Sequence, residues 1–312
     1  MQLDIVIAFF ILGVVARALR SPLSFPPALY QFLTIFLMLA IGLKGGVALA
    51  THANPDLLKQ TVAVLGFGLL LPLLAYPLLR HIGRLARADS ASVAAHYGSV
   101  SVGTYAVAVA VLEAQQVPYE PYFPLFVVLL EVPAILVGLA LVQRKNSQTN
   151  LKKLGHELFC NQGMVLMMGA LAIGYWAGDR VNSVTPLFQD LFHGMLALFL
   201  LEMGMSAASR FGDLKKNATF LSTFGVFMPL LGGALGALLG TWMGLTIGGA
   251  TLLAVLGASA SYIAVPAVMR QALPEANHGL SIAASLGITF PFNVMVGIPL
   301  YLLMSQWLGS GV

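Results

Sequence analysis

The chain has 312 residues, of which 58% are hydrophobic and only 9% charged, against about 25% charged in a soluble domain. That balance excludes a soluble enzyme domain and sets the class as an all-α polytopic membrane protein. The net charge of +4 comes from 16 Lys+Arg and 12 Asp+Glu dispersed between apolar runs, which builds no groove for phosphates and excludes nucleic acid as a partner.

Windows of roughly 20 apolar residues mark candidate spans. Ten are found, the first five at Leu3–Val15, Ala28–Ala50, Leu58–Leu79, Ala91–Leu112 and Tyr122–Val142. The second half supplies Gly163–Trp176, Leu187–Ala207, Thr219–Trp242, Ile247–Leu273 and Leu280–Leu303. The first span begins at once, with Asp4 at its start and no basic stretch ahead of it, so a cleaved signal peptide is not expected. Cys160 is the single cysteine, which rules out an intrachain disulfide.

The polar connector Gln143–Glu157, with Arg144, Lys145, Lys152 and Lys153, separates residues 1–142 from 158–312. The halves echo each other in order. Asp56-Leu57-Leu58-Lys59 before the third span answers Asp213-Leu214-Lys215-Lys216 before the eighth. Pro72 answers Pro229, a Ser-x-Ser lies in the fourth and ninth spans, and Pro133 answers Pro291. The shared order predicts a duplication. Five spans per repeat send the second copy in from the opposite side, so the repeats are inverted.

The basic residues test this topology separately. With ten spans, 13 of them (Arg17, Arg20, Arg80, Arg84, Arg87, Arg144, Lys145, Lys152, Lys153, Arg210, Lys215, Lys216, Arg270) fall on one side, and 3 (Lys44, Lys59, Arg180) on the other. The positive-inside rule makes the first side cytoplasmic, with both termini outside and the connector inside.

Two stretches are predicted to break their spans. Gly98-Ser99-Val100-Ser101-Val102-Gly103-Thr104 interrupts the fourth, and Ser259-Ala260-Ser261-Tyr262, with Pro266 beyond, interrupts the ninth. Glycine costs backbone entropy and serine competes for backbone hydrogen bonds. At membrane depth, freed N–H and C=O groups are tolerated only against protein or a polar cavity. Matching broken spans in the two halves point to a secondary transporter's substrate site. In inverted repeats the second half-helices, starting near Val102–Thr104 and Tyr262–Val265, face each other. Their unpaired N–H groups and dipoles, with the hydroxyls of Ser99, Ser101, Ser259 and Ser261, suit an anion. The alternative is that these small residues only let helices pack closely.

Glu131 is the one acid near the middle of a span, and an intramembrane carboxylate is a functional residue by default. Its repeat counterpart is Thr289-Phe290-Pro291-Phe292-Asn293. Glu131, Thr289 and Asn293 are therefore the candidate ligands of a small hard cation, with a structural hydrogen bond between spans as the alternative. Lys44 is read as a snorkelling side chain near the outer surface. Glu202 is read as setting helix position, and His96-Tyr97 as packing beside the first break.

The stretches Gly42-Leu43-Lys44-Gly45-Gly46, His96-Tyr97-Gly98-Ser99-Val100-Ser101 and Glu113 through Tyr119 resemble the sodium-dependent bicarbonate transporters of the SbtA type. So do Met203-Gly204-Met205, Ala258-Ser259-Ala260-Ser261-Tyr262 and Thr289-Phe290-Pro291-Phe292-Asn293, so the resemblance covers essentially the whole chain. It implies a ten-span inverted-repeat fold, with a scaffold from spans 1, 2, 6 and 7 and a mobile core from spans 3–5 and 8–10. It also implies a homotrimer in the inner or plasma membrane that takes up bicarbonate with sodium by an elevator-type motion, without an enzymatic activity or a cofactor. By position, Gly98, Ser99, Ser101, Gly103, Thr104, Ser259, Ala260, Ser261 and Tyr262 would form the anion site. Two departures stand out. Tyr262 occupies the place of an aspartate in the cyanobacterial pattern, and the connector is shorter than the cyanobacterial insertion, which weakens the implied PII-like cytoplasmic regulator. Other readings are a sodium-coupled carrier of another small carboxylate, an ungated channel and a non-transporting anion sensor.

Overall fold

A computed structural model describes residues 5–52, 55–142, 155–156, 159–210 and 218–310. The connector's basic residues and the Asp213–Lys216 echo lie outside them. The described residues form helices and no strand. In chain order these are α1 (Ile5–Ala18), α2 (Pro27–His52), α3 (Pro55–Pro77), α4 (Arg87–Gly98), α5 (Val102–Ala114) and α6 (Pro124–Val142). There follow α7 (Gln162–Ala177), α8 (Phe192–Arg210), α9 (Ala218–Trp242), α10 (Ile247–Ala258), α11 (Ala264–Ala272) and α12 (His278–Gly309). Seven described helical segments are long and apolar enough to cross a membrane; α1 and α10 are shorter apolar helices. The chain is thus a multi-pass membrane protein. The predicted fourth and ninth spans are each split, into α4 with α5 and α10 with α11.

Helices pair across the two halves. α1 lies along α8, and α2 along α7. Both seams close on glycine. A Cβ on Gly13 would collide with the Leu201 carbonyl and one on Gly204 with the Phe10 carbonyl. In the second seam, Gly46 lies against the Leu171 carbonyl and Gly174 against the Leu43 carbonyl. Small residues let backbones meet where lipid offers no hydrophobic drive to association. A second group packs α3, α4 and α6 together, and α9, α10 and α12 together.

The split spans run through the interior. The Arg87–Ala114 segment is wholly enclosed by protein in its most apolar window, whereas the Pro55–Ile82 segment has 39% of its window buried and the rest facing outward. Irregular backbone at membrane depth is therefore shielded from lipid, as its unpaired groups require. The three tryptophans, Trp176, Trp242 and Trp307, sit at the C-terminal ends of α7, α9 and α12 and are 73–79% exposed. Amphipathic rings at helix ends suit the membrane–water interface. Arg180 lies 4.3 Å over the Trp176 ring and donates to the Ala177 and Trp176 carbonyls, closing the end of α7.

Candidate functional site

The first break begins where α4 stops at Gly98. Ser99 is extended, and Ser101 caps α5 by accepting from the Thr104 N–H at 3.1 Å. The Thr104 hydroxyl also donates to Ser101 Oγ, at 2.9 Å. The second break begins at Ser259, whose hydroxyl turns back to donate to the Leu256 carbonyl at 2.9 Å. Ser261 Oγ accepts from the Val265 N–H at 3.3 Å in the first turn of α11.

The two breaks then bond to each other. The Ser101 N–H donates to Ser259 Oγ at 3.1 Å, and the Ser261 N–H donates to the His96 carbonyl at 2.8 Å. Asn293 on α12 donates from Nδ2 to the Ala258 carbonyl at 2.8 Å and so supports the end of α10. These bonds tie the two breaks to each other and to α12 and pin the crossing in place.

Between the breaks lies a cavity of about 10 Å³ lined by Met38, Val100, Ser101, Val102, Glu131 and Ser261–Ala264. That is room for about one water. The N-termini of α5 and α11 both reach it, so its walls carry two partial positive charges. Three buried polar atoms around the crossing lack a well-aligned partner: Ser99 Oγ, Glu131 Oε2 and the Tyr262 hydroxyl. The Tyr262 ring stacks edge-on against Phe290 at 5.4 Å, and its hydroxyl lies against Ser101 and over Gly103. A Cβ on Gly103 would stand 2.5 Å from that oxygen, so glycine makes room for the tyrosine.

The predicted residues are distributed as follows. Ser101, Ser261 and Tyr262 line the cavity, and Glu131 joins them. Ser99, Gly103, Thr104, Ser259 and Ala260 build its frame, and Gly98 packs against Pro72 and Ala134. Thr289 and Asn293 are not brought to Glu131. Thr289 Oγ1 donates to the Gly225 carbonyl at 2.7 Å and contacts the Tyr97 hydroxyl at 2.7 Å, while Asn293 Oδ1 accepts from Tyr301 at 2.9 Å. Glu131 instead faces α7: its Oε1 is 3.9 Å from where a Cβ on Gly163 would stand, in that helix's first turn. Met38 and Ile263 line the cavity without any sequence signal, being apolar residues in apolar runs. His96 is buried, with Nδ1 donating to the Ser92 carbonyl at 2.7 Å and Nε2 unpartnered.

Lys44 does more than snorkel. Its ammonium is 2.5 Å from Glu113 Oε1 and 3.0 Å from the Tyr119 hydroxyl. Comparison with curated proteins finds no match to the chain. A family model, by contrast, matches residues 5–306, nearly the whole length over which the split spans and their cavity are built, and the chain belongs to the Na+-dependent bicarbonate transporter superfamily.

Proposed function

We propose that the chain carries bicarbonate inward together with sodium, binding the anion where the two split spans cross. Family membership makes it a membrane transporter and not an enzyme. The observation that carries the finer reading is the cavity that holds both half-helix N-termini, two serines and a buried carboxylate. The helix ends and hydroxyls favour an anion. Glu131 opposes one, because two negative charges in a low-dielectric site repel. A sodium ion beside Glu131 removes that repulsion and adds attraction. Each ligand then raises the affinity for the other, which is thermodynamic coupling. The cavity's small size supports a compact anion over a larger carboxylate, with side-chain adjustment to admit it.

The exchanged helix pairs, α1 with α8 and α2 with α7, support two inverted repeats. We assign α1, α2, α7 and α8 to a scaffold and α3–α6 with α9–α12 to a core that moves against it as an elevator. The segregation of basic residues supports both termini outside and the connector inside. A homotrimer in the plasma or inner membrane remains part of this reading. Glu131 is the cation ligand we favour; Thr289 and Asn293 are already bonded within the core. The test is radiolabelled bicarbonate uptake into proteoliposomes with and without an inward sodium gradient. Uptake above equilibrium only with the gradient fits the proposal; gradient-independent equilibration points to a channel.

A further inference from the structure

A second and larger cavity, of about 240 Å³, lies on the same seam between α2 and α5 as the site. The site takes Met38 from α2 and Val100–Val102 from the start of α5. The larger cavity takes Ala40, Ile41 and Lys44 from α2, and Tyr105, Val109 and Glu113 from α5. The two cavities therefore follow each other along one pair of helices. From Ser101 to Glu113 the path rises ~18 Å along α5. Tyr105, one turn above Ser101 and 2% exposed, lines the larger cavity at the end nearer the site.

Charge is concentrated at the far end. Lys44 pairs with Glu113, and Tyr119 donates to the same carboxylate oxygen at 2.8 Å. Burial raises the Tyr119 pKa, although Lys44 pulls the other way, so the hydroxyl stays a donor. His193 Nε2 stands 3.8 Å from Glu113 Oε2. The Lys44 and Glu113 side chains are still 44% and 30% exposed, so a solute reaches them. An ion pair so placed is worth little to stability. Once freed of its carboxylate partner, an ammonium at the mouth of such a cavity raises the local concentration of anions.

We propose that this cavity is the outer vestibule of the transport path and that Lys44 is its recruiting cation, with Glu113 as the internal competitor that the incoming anion displaces. The proposal rests on the anion reading of the site. It makes the two members of one ion pair act in opposite directions. Lys44→Met raises the apparent KM for external bicarbonate by about tenfold, the low end of what local charge does to encounter. Glu113→Gln lowers the apparent KM. Both leave the maximal rate at saturating substrate near that of the parent.

The experiment measures uptake kinetics for both variants in proteoliposomes. In parallel, Val109→Cys in a Cys160→Ser background is treated from outside with impermeant thiol reagents of either charge. The anionic reagent's advantage over the cationic one should fall with Lys44→Met and rise with Glu113→Gln. A purely structural clasp shifts KM in the same direction in both variants, or lowers only the maximal rate, and either result overturns the proposal. So does a Val109→Cys thiol that no external reagent reaches. Should the parent carry no bicarbonate while the labelling ratios still move oppositely, the transport reading falls and the charged vestibule stands.

Discussion

Ser101 does two jobs that one substitution can separate. Its oxygen accepts from the Thr104 N–H and from the Thr104 hydroxyl, which uses both acceptor positions of a hydroxyl. Its own O–H is left to donate, and the side chain lines the cavity. Ser101→Ala therefore removes an N-cap, at about 1 kcal/mol of stability, and removes one donor from the anion. The second loss leaves a buried charge short of a partner and costs roughly 1–3 kcal/mol, or about 5- to 150-fold in affinity. Calorimetry with bicarbonate in saturating sodium reads the affinity; thermal unfolding of the same sample reads the cap. Ser261→Ala should weaken binding in the same way, and the double variant should cost less or more than the sum because both hydroxyls meet one anion. Lower stability with unchanged bicarbonate affinity in both single variants would show that the serines only shape the helices.

Glu131→Gln removes the charge that makes sodium necessary, so bicarbonate affinity should lose most of its sodium dependence while the protein still folds. A wild-type sodium response, read by calorimetry at several sodium concentrations, would make Glu131 structural. Gly46→Leu drives a side chain into the Leu171 backbone across the α2–α7 seam and should cost about 1–3 kcal/mol, seen as a lower unfolding temperature. A cysteine at Ser147, with Cys160 replaced, should resist an impermeant thiol reagent in intact cells; ready labelling would reverse the orientation.

Local composition announced both breaks, because Gly and Ser clusters disfavour helix wherever they fall, and their matching places in the two halves suggested that they would meet. The cation set rested on sequence symmetry, which does not encode the hydrogen-bond partners of its members. Thr289 and Asn293 sit instead among Gly225, Tyr97, Ala258 and Tyr301, on a helix whose register is loosened by π turns at Ala283–Thr289 and Asn293–Gly297. Lys44 was legible only as a lone cation near a span's end, since its partner Glu113 is 69 positions away. Met38 became a wall of the site through the packing of α2, which no local pattern encodes.

The coupling at the crossing is tested most directly by titrating bicarbonate into purified protein with and without sodium, and sodium with and without bicarbonate. Each ligand should tighten the other by the same factor, and Glu131→Gln should remove most of that factor. Equal bicarbonate affinity at every sodium concentration in the unaltered protein would contradict that coupling.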